Sequence, residues 1–187
     1  MPVRPYIPTT TGAHKLDLDR KTVKKLVDAD MIRASGSSLL AADVDRLAAQ
    51  RASRTYVTKL ENITGTIGFA VPVSNPELGS SMYFAPGSDN WTEAHKGVLS
   101  QGLTPHTDDK FTGWWNIKDD ILDRLIAERS VMLSTVGGFV KEAAQIVGLA
   151  TTSDYRRLRA LVVRELDVEQ YRGFIPDSSQ KGGYFQL

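Results

Sequence analysis

The sequence contains no cysteine among its 187 residues. This absence excludes a disulfide framework, a zinc site with cysteine ligands and a cysteine nucleophile. A chain without cysteine suits the reducing cytoplasm, where we expect this protein to reside, although many secreted proteins lack cysteine as well.

Long apolar runs are also missing. No stretch approaches the roughly 18 apolar residues that a membrane-spanning helix requires. The N-terminal residues MPVRPYIPTTT contain no apolar segment of the kind found in signal peptides. We therefore expect no membrane partner, and the ordinary apolar fraction of 41% indicates a globular protein with one large or two small domains.

Charge is unevenly distributed although the formal net charge is only +1. Residues 1–60 contain eleven Lys or Arg and six Asp, which gives +5, so the remaining residues carry −4. A basic N-terminal part joined to a slightly acidic C-terminal part is typical of a nucleic-acid-binding unit on a separate body. A charge of +5 over this length is also ordinary in proteins that bind no nucleic acid.

Short helical patterns and turn signals fill residues 9–51. Residues 1–8 precede them, hold three prolines and are predicted to form an arm or tether. A short first helix is expected over residues 10–16, with a threonine as its N-cap.

A basic second helix is predicted over residues 20–28. Asp19 suits its N-cap, because a carboxylate accepts hydrogen bonds from first-turn amides and favours the positive end of the helix dipole. At the helical period, Val23, Leu26 and Val27 fall on one side. An ordinary amphipathic helix with a solvated basic face is the alternative interpretation. The other sides carry the cations Arg20, Lys21, Lys24 and Lys25.

A small hairpin is predicted after this helix. Residues 32–34 and 38–40 can pair around residues 35–37, which place a glycine at the tip. Asp43 then precedes the apolar face of a third helix that ends near residue 50 or 51.

Five features follow one another in this region: a short helix ending in Leu, a turn, a D-R-x-T-V-x-x-L-V helix, a brief wing and a D-V-D-x-L helix. In this order they resemble the winged helix-turn-helix of the excisionase and MerR-type DNA-binding family. The resemblance covers about a quarter of the chain. Two departures are Asp30 in place of the usual glycine and a wing whose one cation is Arg33. The matching residues are Leu16, Asp19-Arg20-Lys21-Thr22-Val23, Leu26-Val27, Met31-Ile32 and Asp43-Val44-Asp45-Arg46-Leu47.

The resemblance implies that the second helix enters the major groove of double-stranded DNA. Arg20 and Lys21, near its N-terminus, would then read bases, because Arg can bond to two acceptors of guanine. Thr22 could reach a base or a phosphate, whereas Lys24 and Lys25 would hold phosphates. The wing candidates are Arg33, Ser35 and Ser37.

The remaining residues predict a mixed, mainly antiparallel α+β domain. Its clearest signal is Gly137-Gly138 between two apolar, β-rich runs, which indicates a hairpin. YRRLRALVVREL favours a strand slightly over a helix, and the tail KGGYFQL could add an edge strand or dock its aromatic side chains. Strands are also expected at residues 55–60, 66–71 and 82–84, a loop at 102–113, and helices at 91–101 and 120–128, begun by Asp89 or Thr92 and by Asp119.

A second resemblance rests on three segments of the second domain: Gly113-Trp114-Trp115, the Gly-Gly hairpin and Tyr171-Arg172-Gly173. Together they are similar to small α+β domains of uncharacterised actinobacterial proteins, a likeness that implies no chemistry.

Other candidate chemistry is weak in this sequence. His95, His106, Asp108 and Asp109 are types that bind metals, but their spacing fits no metal-binding pattern, so we predict no metal and no cofactor. The three tryptophans are predicted to pack in a core rather than line a ligand pocket.

The sequence therefore predicts two domains, a winged helix-turn-helix at residues 1–53 and an α+β domain at residues 54–187. We expect a sequence-specific DNA-binding protein, a transcriptional or recombination regulator of bacterial, phage or plasmid origin, and not an enzyme. A single winged helix buries little surface, so a homodimer or a second DNA contact from the α+β domain would supply affinity, or that domain would sense an effector. A nuclease-like enzyme targeted to DNA by its winged helix is one alternative, and an adaptor that binds protein is another.

Overall fold

The structure, a computed structural model, describes residues 5–52, 67–72, 81–154, 157–173, 175 and 183–186. Its helices and two sheets form the α+β fold that the sequence predicts. None of the helices in these ranges has the length and apolar content needed to cross a lipid bilayer.

The N-terminal unit contains the predicted helix-turn-helix, hairpin and closing helix. Its small sheet is antiparallel, with strand order β1-β3-β2. The elements are β1 (Tyr6–Pro8), α1 (Thr9–Leu16), α2 (Arg20–Asp28), β2 (Ala34–Ser35), β3 (Ser38–Leu40) and α3 (Ala41–Ala52).

Strand β1 corrects the prediction that residues 1–8 form an arm or tether. Tyr6–Pro8 pairs with β3 as an edge strand of the small sheet. Proline is tolerated there because an edge strand leaves one row of amide positions unpaired. The expected threonine cap is also wrong, since Pro8 occupies the N-cap of α1 and the Thr9 hydroxyl instead donates to the Ser37 carbonyl at 2.7 Å.

Helix α2 begins as predicted. The Asp19 carboxylate accepts from the Thr22 amide at 2.9 Å and from the Thr22 hydroxyl at 2.8 Å. These bonds, the amide bond above all, hold the pKa of Asp19 below its usual value. After the helix, Asp30 adopts a left-handed φ of 58°. Asp tolerates this conformation better than most residues, which explains how it can occupy the usual glycine position.

The second unit is a six-stranded sheet with strand order β5-β8-β7-β6-β4-β9. Among the strands that the structure describes, only the pair β4 and β6 is parallel, so the sheet is mixed and mainly antiparallel, as predicted. Its elements are β4 (Ile67–Pro72), α4 (Asp89–Ser100), β5 (Asp109–Phe111), α5 (Asp119–Ala127), β6 (Val131–Val136), β7 (Phe139–Thr152), β8 (Arg159–Glu165), a 3-10 helix (Val168–Tyr171) and β9 (Gly183–Gln186).

The Gly-Gly hairpin is confirmed, with Gly137 and Gly138 at positive φ between β6 and β7. The strand at β8 and the edge strand at β9 are confirmed too. The strand expected at residues 55–60 lies outside the described residues.

Several local predictions in this unit are wrong. Strand β5 lies in the segment predicted as a loop, because it completes the edge of the sheet beside β8, a long-range pairing that local pattern does not report. Residues 82–84 form only a single bridge, from Tyr83 to Thr112. Helix α4 is capped by Ser88, whose hydroxyl accepts from the Trp91 amide, and α5 follows Lys118 without a side-chain cap.

One apolar cluster, the shared core, spans the two units. Leu16, Val23 and Leu26 form the centre of the N-terminal unit and are fully buried. Val136 and Phe139, which flank the hairpin turn of the large sheet, belong to the same cluster and are about as deeply buried. The hairpin tip is therefore part of the packing that holds α1, α2 and α3 together.

Candidate nucleic-acid interface

Helix α2 carries a continuous basic face. Successive helix residues are separated by about 100°, so its four cations fall within an arc of about 140°. Arg20, Lys21 and Lys24 are exposed, and Lys25 is half-buried. The opposite side is formed by Val23 and Leu26, which are buried in the core of the N-terminal unit. The helix therefore turns its basic face to solvent because its apolar face is held by the core.

Most cations of α2 differ in their partners from Lys15 and Arg51 of the same unit. Lys15 pairs with Asp45 at 2.5 Å, and Arg51 binds the Asp17 carboxylate at 2.7 Å. In contrast, within the part of the chain that the structure describes, none of Arg20, Lys21 and Lys25 pairs with an acid. Within the described part of the N-terminal unit, the cations without an acidic ion-pair partner are these three and Arg46 of α3, which donates to the Met31 carbonyl.

Lys24 is the exception on this face. Its ammonium group lies 2.9 Å from the Asp28 carboxylate, one helical turn away, and its side chain is 72% exposed. An exposed pair of this kind contributes at most about 1 kcal/mol. The lysine can therefore exchange its carboxylate for a phosphate at little cost.

Thr22 is placed differently from the cations. Its hydroxyl donates to Asp19, and its methyl group faces the tip of the β6–β7 hairpin. A Cβ atom built on Gly137 would lie only 2.6 Å from the Thr22 Cγ2 atom, so the hairpin backbone and the first turn of α2 are in direct contact. Thr22 therefore lies outside the arc of the four cations, and it connects α2 to the large sheet.

The wing cation Arg33 is tied to α3. Its Nε and Nη2 atoms donate to the two carboxylate oxygens of Asp43, each at 2.9 Å, and its backbone amide donates to the same group. The guanidinium group of Arg33, through these hydrogen bonds first, holds the pKa of Asp43 below its usual value. This contact fixes the base of the wing on the helix that follows it.

Asp43 is a buried carboxylate in the third helix. Helix α3 begins at Ala41, so Asp43 lies in its first turn, and its carboxylate is buried against the wing. Arg33 and Asp43 are ten residues apart, on either side of a hairpin, and no local signal links them. Ser35 and Ser37, the other wing candidates, are exposed at the turn around Gly36.

The candidate metal ligands and the three tryptophans form local contacts within the second unit. His106 and Asp108 lie 3.4 Å apart in a turn, and Asp109 pairs with Arg164 on the neighbouring strand. Among the described residues, no group of three or more His, Asp or Glu side chains is arranged to hold a metal ion. The three tryptophans pack against apolar clusters of the second unit, as predicted.

Comparison with known proteins identified no similar protein. No protein-family model matches the chain, and neither a curated protein nor a solved structure shows significant similarity to it.

Proposed function

We propose that this protein binds double-stranded DNA in a sequence-specific manner and regulates transcription or recombination in a bacterium, phage or plasmid. In this proposal α2 lies in the major groove, in the manner of the excisionase and MerR-type winged helices that residues 9–51 resemble. The observation that carries the proposal is the basic face of α2. It holds four cations within about 140° of arc, opposite the core, and three of them have no acidic partner among the described residues.

The residues of α2 divide into two groups in this proposal. Arg20 and Lys21 lie in the first turn, the part of a recognition helix that reaches base edges. Lys24 and Lys25 lie one turn further along and hold phosphates, which fixes the orientation of the protein without reading sequence. The exposed Ser35 and Ser37 at the wing tip can donate to a neighbouring backbone, whereas Arg33 contributes mainly by keeping the wing in place.

The hairpin of the large sheet supports the proposal mechanically. Contacts of Gly137 with Thr22, and of Val136 and Phe139 with the core beneath α2, tie the helix to a six-stranded sheet. A reading helix held on a rigid body loses less conformational freedom on binding than one that is free to move. A homodimer would add a second reading helix, since one winged helix makes a small interface.

The experiment that tests the proposal begins with selection of duplexes from a random DNA pool by the full chain. Binding of the selected duplex is then measured by fluorescence anisotropy over a range of salt concentrations. The double variant Lys24→Glu/Lys25→Glu should weaken binding to all duplexes. It should also reduce the slope of log K against log salt by about 1.8, because each lost phosphate contact contributes about 0.9.

A matched control is available on the second unit. Lys96 on α4 and Lys118 before α5 are both exposed, so Lys96→Glu/Lys118→Glu makes the same change in total charge away from α2. This control should bind like the unchanged protein. Equal losses in the two double variants, or none in the α2 variant, would show that α2 is not the DNA-binding face.

The same duplex incubated with Mg²⁺ or Mn²⁺ distinguishes a regulator from a DNA-directed enzyme. In our proposal the DNA is bound and remains intact. Metal-dependent cleavage would refute the regulator and favour the nuclease-like alternative.

A further inference from the structure

A cleft lies where the N-terminal unit meets the second unit, and its volume is about 490 Å³. This is within the range of roughly 300–1,000 Å³ that small-molecule sites occupy. We call it the junction cleft. Its walls come from the turn after α2 at residues 29–31, from Arg46 of α3, from Val140 and Lys141 of β7, and from Glu169 and Arg172 at the 3-10 helix.

The charges around the junction cleft favour an anion. The cleft is lined by three basic side chains, Arg46, Lys141 and Arg172, and by two acidic ones, Asp30 and Glu169. Arg172 and Glu169 pair with each other at the exposed rim. Counted over these five groups, the formal balance is one positive charge.

Arg46 is the residue that points to the type of ligand. Its Nη2 atom donates to the Met31 carbonyl at 2.9 Å. Its Nη1 atom is shielded from solvent and has no hydrogen-bond partner. A buried donor on a charged group that lacks an acceptor is unfavourable, and an oxyanion is the acceptor that a guanidinium group binds most strongly.

We propose that the junction cleft binds a small molecule through a carboxylate or phosphate group, with Arg46 as its main ligand. Because Nη1 is shielded from solvent in this structure, the guanidinium group must reorient on binding so that Nη1 meets an oxygen of the ligand. Lys141 and Arg172 lie around the same cleft and add favourable charge. This site is separate from the basic face of α2, because it uses other residues and lies at the end of that helix and beyond it.

The test uses the full chain and two simple anions, inorganic phosphate and citrate, which are titrated separately at constant ionic strength while backbone amide NMR signals are followed. We expect saturable shifts at Ala29, Asp30 and Lys141 with at least one anion. Saturation with phosphate only indicates a phosphate-bearing ligand, and saturation with citrate only indicates a carboxylate-bearing one. Shifts that rise without saturating, or that are confined to α2, would overturn the proposal.

Variants separate this site from a general attraction of anions to basic surfaces. Arg46→Gln keeps a donor for the Met31 carbonyl but removes the charge, and it should weaken anion binding roughly tenfold or more, since a hydrogen bond to a charged group is lost. Lys96→Gln on α4 makes the same change in charge at an exposed position outside both the cleft and α2, and it should leave the affinity unchanged. Equal weakening by the two variants would overturn the proposal.

A second variant covers the case in which Arg46→Gln does not fold. Arg172 lies at the rim of the junction cleft with its side chain 34% exposed, and Arg172→Gln keeps a polar side chain there. It should weaken anion binding measurably, while Lys96→Gln does not. If Arg46→Gln does not fold and Arg172→Gln binds the anion as tightly as the unchanged protein does, the proposed site is refuted.

Discussion

Replacing Gly137 by alanine should destabilise the protein through one identifiable contact. The new Cβ atom would lie 2.6 Å from the Thr22 Cγ2 atom, closer than real side-chain contacts allow. Thr22 cannot turn its methyl group away freely, because its hydroxyl donates to Asp19 at 2.8 Å. Forcing an extra methyl into such a contact costs about 1–3 kcal/mol. The left-handed backbone of Gly137 adds about 1–2 kcal/mol for any residue with a Cβ atom.

Gly36 provides the matched control for the backbone cost. Its φ of 57° nearly equals the 58° of Gly137, but a Cβ atom at Gly36 would meet nothing within 4 Å. Gly36→Ala should therefore cost only the conformational part, about 1–2 kcal/mol. The difference between the two variants, about 1–3 kcal/mol, isolates the contact between the hairpin and α2.

A double-mutant cycle tests the cause directly. Thr22→Ser removes the Cγ2 methyl group and keeps the hydroxyl that bonds to Asp19. In the Thr22→Ser background, Gly137→Ala should cost about as much as Gly36→Ala does alone, because the clash has no partner atom. Free energies of unfolding from urea titrations would give the coupling between the two sites, and we expect it to exceed about 0.5 kcal/mol. Additive effects, or equal costs for Gly36→Ala and Gly137→Ala, would refute the contact between hairpin and helix.

Three further predictions follow from the same structure. Arg20→Ala should relax sequence preference at one base position by about 1–3 kcal/mol, because a pair of hydrogen bonds to a base is lost; repeated selection from a random DNA pool would measure this, and an unchanged set of selected sites would exclude Arg20 as a reader. Phe139→Ala should cost about 3–5 kcal/mol of unfolding free energy in urea titrations, because the side chain is fully buried in the shared core; a cost below about 1 kcal/mol would mean that the hairpin is not part of that core. The pKa of Asp43 is lower in the folded state than in the unfolded state, so its ionised carboxylate stabilises the protein at any pH above the unfolded-state pKa, and this contribution is lost as the pH falls through the folded-state pKa. Urea titrations should therefore show that Asp43→Asn is destabilising at neutral pH and nearly neutral well below pH 3.8. This dependence on pH should be larger than that of Asp45→Asn, at an exposed position of the same helix.

Local signals were enough to predict the helix-turn-helix and the Gly-Gly hairpin. The cap at Asp19, the apolar spacing of Val23 and Leu26, and the two glycines between β-rich runs each act over a few residues, and the structure confirms all of them. Helix caps and hairpin turns of this kind are encoded within a few neighbouring residues, so the sequence reports them directly.

The features that escaped prediction depend on contacts between distant residues. Strand β1 exists because Tyr6–Pro8 pairs with β3, and β5 exists because Asp109–Phe111 pairs with β8. The ion pair of Arg33 with Asp43 likewise forms across the wing. Pairing of strands or charged side chains that are distant in sequence depends on the assembled fold, so the periodicity within one segment cannot predict it.

The shared core changes how the basic face of α2 should be understood. The side of α2 opposite its cations rests partly on Val136 and Phe139, so the direction in which those cations point depends on the large sheet as well as on the other helices. The junction cleft has its walls on the same two units, with Met31 after α2 on one side and Val140 after the hairpin turn on the other. A change at the hairpin is therefore expected to affect both the stability of the N-terminal unit and the position of its basic face. Gly137→Ala distinguishes these effects when binding is measured under conditions where the variant is fully folded: a loss of DNA affinity there would come from reorientation of α2, because the cations themselves are unchanged.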